Sequence, residues 1–253
     1  MKWRNALCFS ALLLLAAAPA RANPDVLWKI VHDHCVPNEE QHGQPAPCTL
    51  VDLEGGAAGG WAVLKDIRGA TQYLLIPTAR VTGIEDPALL RPGAPNYFAA
   101  AWRERGYTER AAGHALPRDA VSLAVNSPFG RSQDQLHIHI DCIRRDVRAV
   151  LHRLLPGIGD RWAPLAAPLA RHRYWAMRVS GDDLGGADPF ALLAGKKPGA
   201  AAAMNRRTLV VIGADLPGGS PGFILLAGQL DLARGNHASG EELQDHACAV
   251  ARD

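Results

Sequence analysis

The sequence of 253 residues lacks three features that would each define a class of protein. It has no excess of charge, because 27 Lys and Arg residues stand against 25 Asp and Glu residues, and this balance gives no support to a nucleic-acid-binding surface. It has no long hydrophobic run after the one near its start, which excludes a multi-span membrane protein. It has no CxxC pair, the commonest spacing of zinc ligands. With 48% hydrophobic and 21% charged residues, the composition is that of a globular protein.

The first 22 residues have the order of a secretory signal peptide. Lys2 and Arg4 precede an uncharged apolar run from Ala6 to Ala20. Ala20-Arg21-Ala22 then has the small-x-small pattern of a cleavage site before Asn23. A run of this length can also remain as an N-terminal membrane anchor. In both cases we expect residues 23–253 to be exported and to form a single domain.

Four cysteines follow this segment: Cys35, Cys48, Cys142 and Cys248. An even number in an oxidising compartment favours disulfide bonds, and four cysteines allow three pairings. We favour Cys35–Cys48, which closes a loop rich in Pro and Gln, and then Cys142–Cys248 by elimination.

Hydrophobic periodicity predicts an α+β protein, with an antiparallel sheet and helices on one of its faces. The predicted strands are 61–66, 73–77, 120–126, 136–140, 174–179, 208–212 and 223–227. The predicted helices are 26–31, one capped by Asn96 and stopped by Gly106, one capped by Asp146 and running to Leu154, a short one within 185–203, and a last one opened by the capping box Ser239–Glu242. Residues 37–47 are predicted to be a polar loop, and no sequence repeat is evident.

The strand at 136–140 carries the chemistry. Because side chains alternate between the two faces of a strand, Gln135, His137, His139 and Asp141 point one way, while Leu136, Ile138 and Ile140 point into the core. The preceding loop supplies Gly130, Arg131 and Ser132, which suit an oxyanion or phosphate.

Two imidazoles two residues apart have three interpretations. They bind a metal ion, they act in catalysis, or they make structural hydrogen bonds on a half-exposed face. Spacing alone does not choose between them. Lys65, at the end of an earlier strand, either reaches a phosphate or is a solvated strand end, and we favour the second interpretation.

A family resemblance sharpens this picture. Asn126, the loop Gly130-Arg131-Ser132-Gln133 and the run Leu136-His137-Ile138-His139-Ile140 resemble the signature of the histidine-triad superfamily of nucleotide hydrolases and transferases, with residues 60–155 as the motif-bearing core. Across nearly the whole chain, further runs resemble bacterial CDP-diacylglycerol pyrophosphatases: Leu27–Val31, Tyr73–Thr78, Cys142–Arg144 and Gln244–His246.

The resemblance implies a histidine-triad-like antiparallel sheet with flanking helices, extended by a C-terminal α+β half. It implies hydrolysis of CDP-diacylglycerol to CMP and phosphatidate without a cofactor or metal, at the bacterial inner membrane or its periplasmic face. The substrate and the membrane surface are the expected partners, and nucleic acid is not.

The triad itself is incomplete, because only two histidines are present. If Gln135 fills the first position, His137 is the middle, nucleophilic histidine. If His137 fills the first position, His139 is the nucleophile and Asp141 the third member. We favour the first register, because Asp141 would put negative charge beside a phosphate.

In the favoured register, the remaining roles also follow from the resemblance. His139, Arg131 and Ser132 would stabilise phosphate oxygens, and Asn126, Gln133, Gln135 and Lys65 complete the expected substrate-binding set. Two other functions stay open at this point: the same chemistry on soluble nucleotide diphosphates, and a secreted zinc-binding module in which His137 and His139 hold the metal.

Overall fold

The computed structural model describes residues 23–252, so the predicted leader at 1–22 lies outside the described residues. Nine antiparallel strands form one sheet in the order β1-β2-β3-β5-β4-β8-β9-β7-β6. The strands are β1 Leu50–Asp52, β2 Trp61–Lys65, β3 Tyr73–Pro77, β4 Val121–Val125, β5 Ile138–Cys142, β6 Ala163–Pro164, β7 Tyr174–Ser180, β8 Arg207–Asp215 and β9 Pro221–Gln229. All seven predicted strands are present, and the α+β class is confirmed. The short edge strands β1 and β6 were not predicted.

The sheet consists of two halves with the same strand plan. In the first half the strand order is β2-β3-β5-β4, and in the second it is β6-β7-β9-β8, each built from two antiparallel pairs separated by helix. The halves join where β4 pairs with β8, from Ser122 opposite Ile212 to Val125 opposite Leu209. The chain therefore repeats its topology, although the sequence shows no repeat.

Helices cover both faces of the sheet, so the prediction of helices on one face was wrong. The α-helices are α1 Val26–Lys29, α2 Val36–His42, α3 Tyr97–Arg103, α4 Gly106–Ala112, α5 Arg145–Leu154 and α6 Pro189–Lys196. Helices α3 and α6 pack on one face through Phe98 and Phe190. On the other face α1 and α2 cover β2 and β3, and α5 covers β8 and β9. The reason is that β8 and β9 are apolar on both sides.

The N-terminal helical segment is longer than predicted. A π-helical turn, Ile30–Cys35, joins α1 to α2, and helix continues to His42 instead of giving way to a polar loop at 37. Pro37 lies in the first turn of α2, directly after the π-helical turn.

Three further helix boundaries differ from the prediction. Asn96 does cap α3, by accepting a hydrogen bond from Ala99 N at 3.0 Å, but Gly106 opens α4 instead of stopping a helix. Asp146 lies inside α5 and pairs with Arg144, so it is not the cap. The predicted C-terminal helix is replaced by two 3-10 turns, Gly240–Leu243 and Ala249–Arg252. Ser239 makes no cap, because its hydroxyl group donates to Asn126 Oδ1.

Both predicted disulfide bonds are present. Cys35–Cys48 ties the N-terminal helical segment to the chain leading into β1. Cys142–Cys248 ties β5, the strand that carries His139, to the C-terminal segment. Within residues 23–252, no helix is long and apolar enough to cross a membrane.

Candidate active site

The two histidines lie at the base of a cleft on the face of the sheet between α1 and the C-terminal segment. His139 is in β5, and His137 immediately precedes that strand, which begins two residues later than predicted. Leu136, Ile138 and Ile140 pack into the core on the opposite face, as the alternation predicts. The cleft has a volume of about 490 Å³, and only 8% of His137 and 4% of His139 is exposed.

The tautomer of His137 follows from one hydrogen bond. Its Nδ1 lies 2.7 Å from the backbone carbonyl oxygen of Gln135, and a carbonyl only accepts, so Nδ1 carries the proton. The other nitrogen, Nε2, therefore holds a lone pair. Burial lowers the pKa of His137, outweighing the opposing effects of that hydrogen bond and of Glu241, so the ring is neutral near pH 7. A neutral imidazole with a free Nε2 lone pair is a nucleophile.

His139 has polar neighbours at both ring nitrogens. The side-chain amide of Gln72 and the Glu241 carboxylate lie beside Nδ1, and Asn126 Nδ2 lies 3.5 Å from Nε2. Burial, together with neighbouring His137 and His246, holds the pKa of His139 well below its usual value. The ring of His139 packs edge-on against that of His137, with 4.8 Å between centroids. His139 is thus a second buried, neutral imidazole beside the His137 ring.

A carboxylate that sequence reasoning missed completes the cluster. Glu241 lines the cleft, with Oε1 3.3 Å from His139 Nδ1 and Oε2 accepting from Asn126 Nδ2 at 2.6 Å. Asn126 Oδ1 accepts the backbone N–H of Gly240 at 2.8 Å and so fixes the turn that presents this glutamate. The sequence places Glu241 in a capping box, so the pattern there favoured a structural role.

Asp141 does not face the cleft. One carboxylate oxygen accepts from Thr71 and from the backbone N–H of Cys142, and the other accepts from His246 Nδ1 at 2.6 Å. That hydrogen bond raises the pKa of His246, whose Nε2 points towards Glu241 Oε1 at 4.0 Å. Because Asp141 is occupied in this way, the geometry favours the register in which His137 is the middle histidine.

Arg131 lines the cleft, but its positive charge is paired with two carboxylates. Its guanidinium makes two hydrogen bonds to Glu85, at 2.6 and 2.8 Å, and a third to Asp134 at 3.1 Å. The side chain is 4% exposed. This cation is paired with two carboxylates, so it gives the loop its shape.

Two of the other predicted binding residues make structural hydrogen bonds, and the third has a hydroxyl group that faces the cleft. Gln135 donates to the backbone oxygens of Pro77 and Ala79 and does not line the cleft. Gln133 lines it, but its side-chain oxygen accepts from Leu27 N, which ties α1 to the loop. Ser132 lines the cleft, and among the described residues its hydroxyl group has no hydrogen-bond partner.

The cations that face the cleft come from the β2–β3 turn. Lys65 lines it and donates to the backbone oxygens of Asp66 and Gly69 at 2.8 and 3.0 Å. Arg68 also lines it, and its guanidinium forms no hydrogen bond or ion pair with residues 23–252. No sequence pattern points to Arg68, because nothing local distinguishes it from a solvated turn residue.

Metal binding finds no support in the side-chain geometry. Within residues 23–252, no group of three or more His, Cys, Asp and Glu side chains is arranged to hold a metal ion. The cysteines of this part of the chain are in disulfide bonds. The cleft combines an imidazole with a free lone pair, a second neutral imidazole, a carboxylate and the Arg68 guanidinium, and such groups can act on a phosphate ester or anhydride.

Fold and site together define an α+β protein with a paired-histidine cleft. Residues 22–252 match the family model described as CDP-diacylglycerol pyrophosphatase. The chain is also 41% identical over 255 residues to a CDP-diacylglycerol pyrophosphatase of Yersinia pestis, covering 99% of this chain and 96% of that protein. The chain belongs to the CDP-diacylglycerol pyrophosphatase family.

Proposed function

We propose that this protein hydrolyses the pyrophosphate bond of CDP-diacylglycerol, releasing CMP and phosphatidate, through a covalent cytidylyl group on His137. The observation that carries the covalent route is the His137 ring itself. Its Nδ1 proton is held by the Gln135 carbonyl group, and its Nε2 lone pair is directed by that constraint at the base of the cleft. Family membership and the 41% identical relative support the substrate.

In the first step, His137 Nε2 attacks the cytidine-side phosphorus. The bond from phosphorus to the bridging oxygen breaks, and phosphatidate leaves with that oxygen and the electron pair. A neutral nucleophile avoids the repulsion that an anion meets at a pyrophosphate. His137 Nδ1–H keeps its hydrogen bond to the Gln135 carbonyl oxygen, which stabilises the positive charge that develops on the ring.

Charge also builds on the phosphate oxygens as the bond breaks. In this proposal His139 reacts as its Nε2–H tautomer, and this N–H, the Arg68 guanidinium and the Lys65 ammonium donate to these oxygens. Donors fixed in place before the reaction supply the largest share of catalysis in most enzymes of this kind. This assignment moves the cationic role from Arg131 to Arg68.

In the second step, water attacks the same phosphorus and the bond to His137 breaks, which returns the lone pair to Nε2. The water loses one proton, and Glu241 is the carboxylate placed to take it, at the edge of the cleft beside His139. CMP then leaves, and Glu241 passes the proton to solvent.

The same proposal covers fold family and location. Residues 23–253 form one catalytic domain with a histidine-triad-like sheet, supported by the hairpin, helix and strand order of the first half. The domain acts on the outer side of the bacterial inner membrane, facing the periplasm. Two disulfide bonds support an oxidising compartment.

The direct test uses the purified full-length protein with CDP-diacylglycerol in detergent micelles. We expect CMP and phosphatidate as the two products on thin-layer separation, and CDP-choline to be a poor competitor. Absence of both products would defeat the proposal, and stronger turnover of CDP-choline would shift it to soluble nucleotide diphosphates.

Two substitutions test the covalent route. His137→Asn removes the nucleophile, and we expect kcat to fall about 10⁴- to 10⁶-fold, as for other covalent catalysts. His139→Asn removes one donor to a phosphate oxygen, for which the loss is about 10²- to 10³-fold. Acid-quenched reactions with substrate labelled at the cytidine-side phosphorus should leave label on the peptide containing His137 in the parent protein and none in His137→Asn. Equal losses in both variants, or label on His139, would overturn the assignment.

A further inference from the structure

Exposed large hydrophobic side chains are concentrated at the mouth of the cleft. Within residues 23–252, five such side chains are exposed: Val26, Ile67, Leu90, Phe129 and Leu232. Three of the five, Val26, Ile67 and Phe129, line the opening of the histidine cleft. Their exposed fractions are 42%, 99% and 49%, so Ile67 is almost fully exposed and nearly half of each of the other two side chains is uncovered by residues 23–252.

The segments that carry them are fixed in place. Ile67 lies at the tip of the β2–β3 turn, where the backbone N–H of Arg68 donates to Asp66 Oδ1 and Ala70 N donates to the His246 carbonyl group. Gly69 packs so closely on His246 that a Cβ there would lie 2.4 Å from the His246 Cβ. The turn therefore holds Ile67 out in the solvent as a rigid projection.

Phe129 is presented in a similar way. Its backbone N–H donates to Ser127 Oγ, and Gly130 N donates to the Ser127 carbonyl group. Ser127 is tied in turn to the C-terminal segment through Ala238 O. Val26 opens α1, and α1 is joined to the same loop by the bond from Leu27 N to Gln133. Three separate parts of the chain thus bring an apolar side chain to one opening.

The sequence just before the described residues is also apolar. The uncharged apolar run Ala6–Ala20 ends three residues before Asn23, and Val26 follows three residues later. Val26 at the opening is therefore only six residues from that run along the sequence. Arg68 adds an unpaired cation at the opening, where it is complementary to anionic lipid head groups.

We propose that Val26, Ile67 and Phe129 form a rim that inserts into the outer leaflet of a phospholipid bilayer. This insertion places the mouth of the cleft at the depth of the lipid head groups. This inference rests on the proposed function, because it explains how a lipid nucleotide reaches His137. The cytidine diphosphate enters the cleft while the acyl chains remain in the bilayer. Leu27, Ile30 and Leu64, which line the cleft beneath the rim, continue the apolar surface inward.

The first experiment measures insertion without using activity. The full chain is reconstituted in vesicles of phosphatidylethanolamine and phosphatidylglycerol, with or without bromine on the acyl chains. Ile67→Trp and Phe129→Trp should each add fluorescence that the brominated lipid quenches. Leu90→Trp and Leu232→Trp are matched controls, because these leucines are 43% and 54% exposed and do not line the cleft. Their added fluorescence should remain unquenched.

The second experiment separates access from chemistry. Turnover is measured on vesicle-embedded CDP-diacylglycerol and on a six-carbon-chain analogue dispersed as monomers. The double variant Ile67→Ser, Phe129→Ser should lower the ratio of vesicle to monomer turnover at least about tenfold, since each side chain loses its burial in lipid. The control Leu90→Ser, Leu232→Ser should leave that ratio unchanged.

The outcomes separate the two proposals. Unquenched indoles at 67 and 129, or an unchanged ratio in the rim variant, would overturn the bilayer-contacting rim while leaving the hydrolase intact. Quenched indoles with no turnover of either substrate by the parent protein would retain the surface and reject the proposed function.

Discussion

The two disulfide bonds close loops of very different length, and this sets a quantitative prediction. The bond Cys142–Cys248 spans 106 residues, whereas Cys35–Cys48 spans 13. Restriction of the unfolded chain contributes about 4.7 kcal/mol for the long loop and about 3 kcal/mol for the short one. Replacing Cys142 and Cys248 by alanine should therefore lower the free energy of unfolding by about 2 kcal/mol more than replacing Cys35 and Cys48.

Urea unfolding without reductant, followed by tryptophan fluorescence, measures both losses. All four cysteines are buried and each pair loses two sulfur atoms, so the difference between the variants isolates the loop length. An equal loss, or a larger loss for the Cys35 and Cys48 pair, would refute the reasoning.

The long-loop variant should remain active under conditions where it is folded. The C-terminal segment keeps the bond from Asp245 N to Cys142 O at 2.9 Å, and Gln244 still donates to Ser122 and to His139 O. Glu241 therefore stays at the cleft. Loss of kcat that exceeds the unfolded fraction would show that the disulfide bond positions this residue.

Three further predictions follow from the site. Because burial lowers the pKa of His137 below 6.5, the acid limb of kcat/KM should lie below pH 6.5, and a limb at or above that value in a pH–rate profile would contradict a buried neutral nucleophile. Asp141 raises the pKa of His246, so the stability contributed by protonated His246 is complete below about pH 6.5 and is lost as the pH rises through the raised pKa. Urea midpoints measured across pH 5–9 should show this fall in the parent protein and lack it in His246→Asn. Gly240→Ala places a Cβ 2.6 Å from Val210 Cγ2, and this clash should displace the neighbouring Glu241 and lower kcat by about 10²-fold. The control Gly186→Ala meets open space and should have the kcat of the parent protein.

Local patterns in the sequence predicted much of the fold. Strand alternation placed Leu136, Ile138 and Ile140 in the core and the histidines on the other face, because a period of two leaves no alternative once one face is apolar. Cysteine counting reached both disulfide pairs. Strand alternation depends only on neighbours in sequence, and the four cysteines allow only three pairings.

What failed depends on contacts between distant segments. Arg131 looked like a phosphate ligand, but Glu85, 46 residues away, takes its charge. Glu241 looked like part of a helix cap, but Asn126, 115 residues away, draws it to the histidines. A pattern read along the chain shows which groups are available and does not show which partner they meet. Arg68 shows the opposite situation. It is a candidate only because the β2–β3 turn brings it to the cleft, and its sequence context does not distinguish it.

The pairing of β4 with β8 has a consequence for how substrate gets in. Because the two halves share one continuous hydrogen-bonded sheet, they have no hinge about which to open, unlike enzymes whose lobes close on their ligand. His139 lies on β5, which pairs with β4 inside this continuous sheet, so the base of the cleft is held by strands on both sides. A ligand therefore reaches His137 and His139 past the loops that line the opening, without any movement of one half of the sheet against the other.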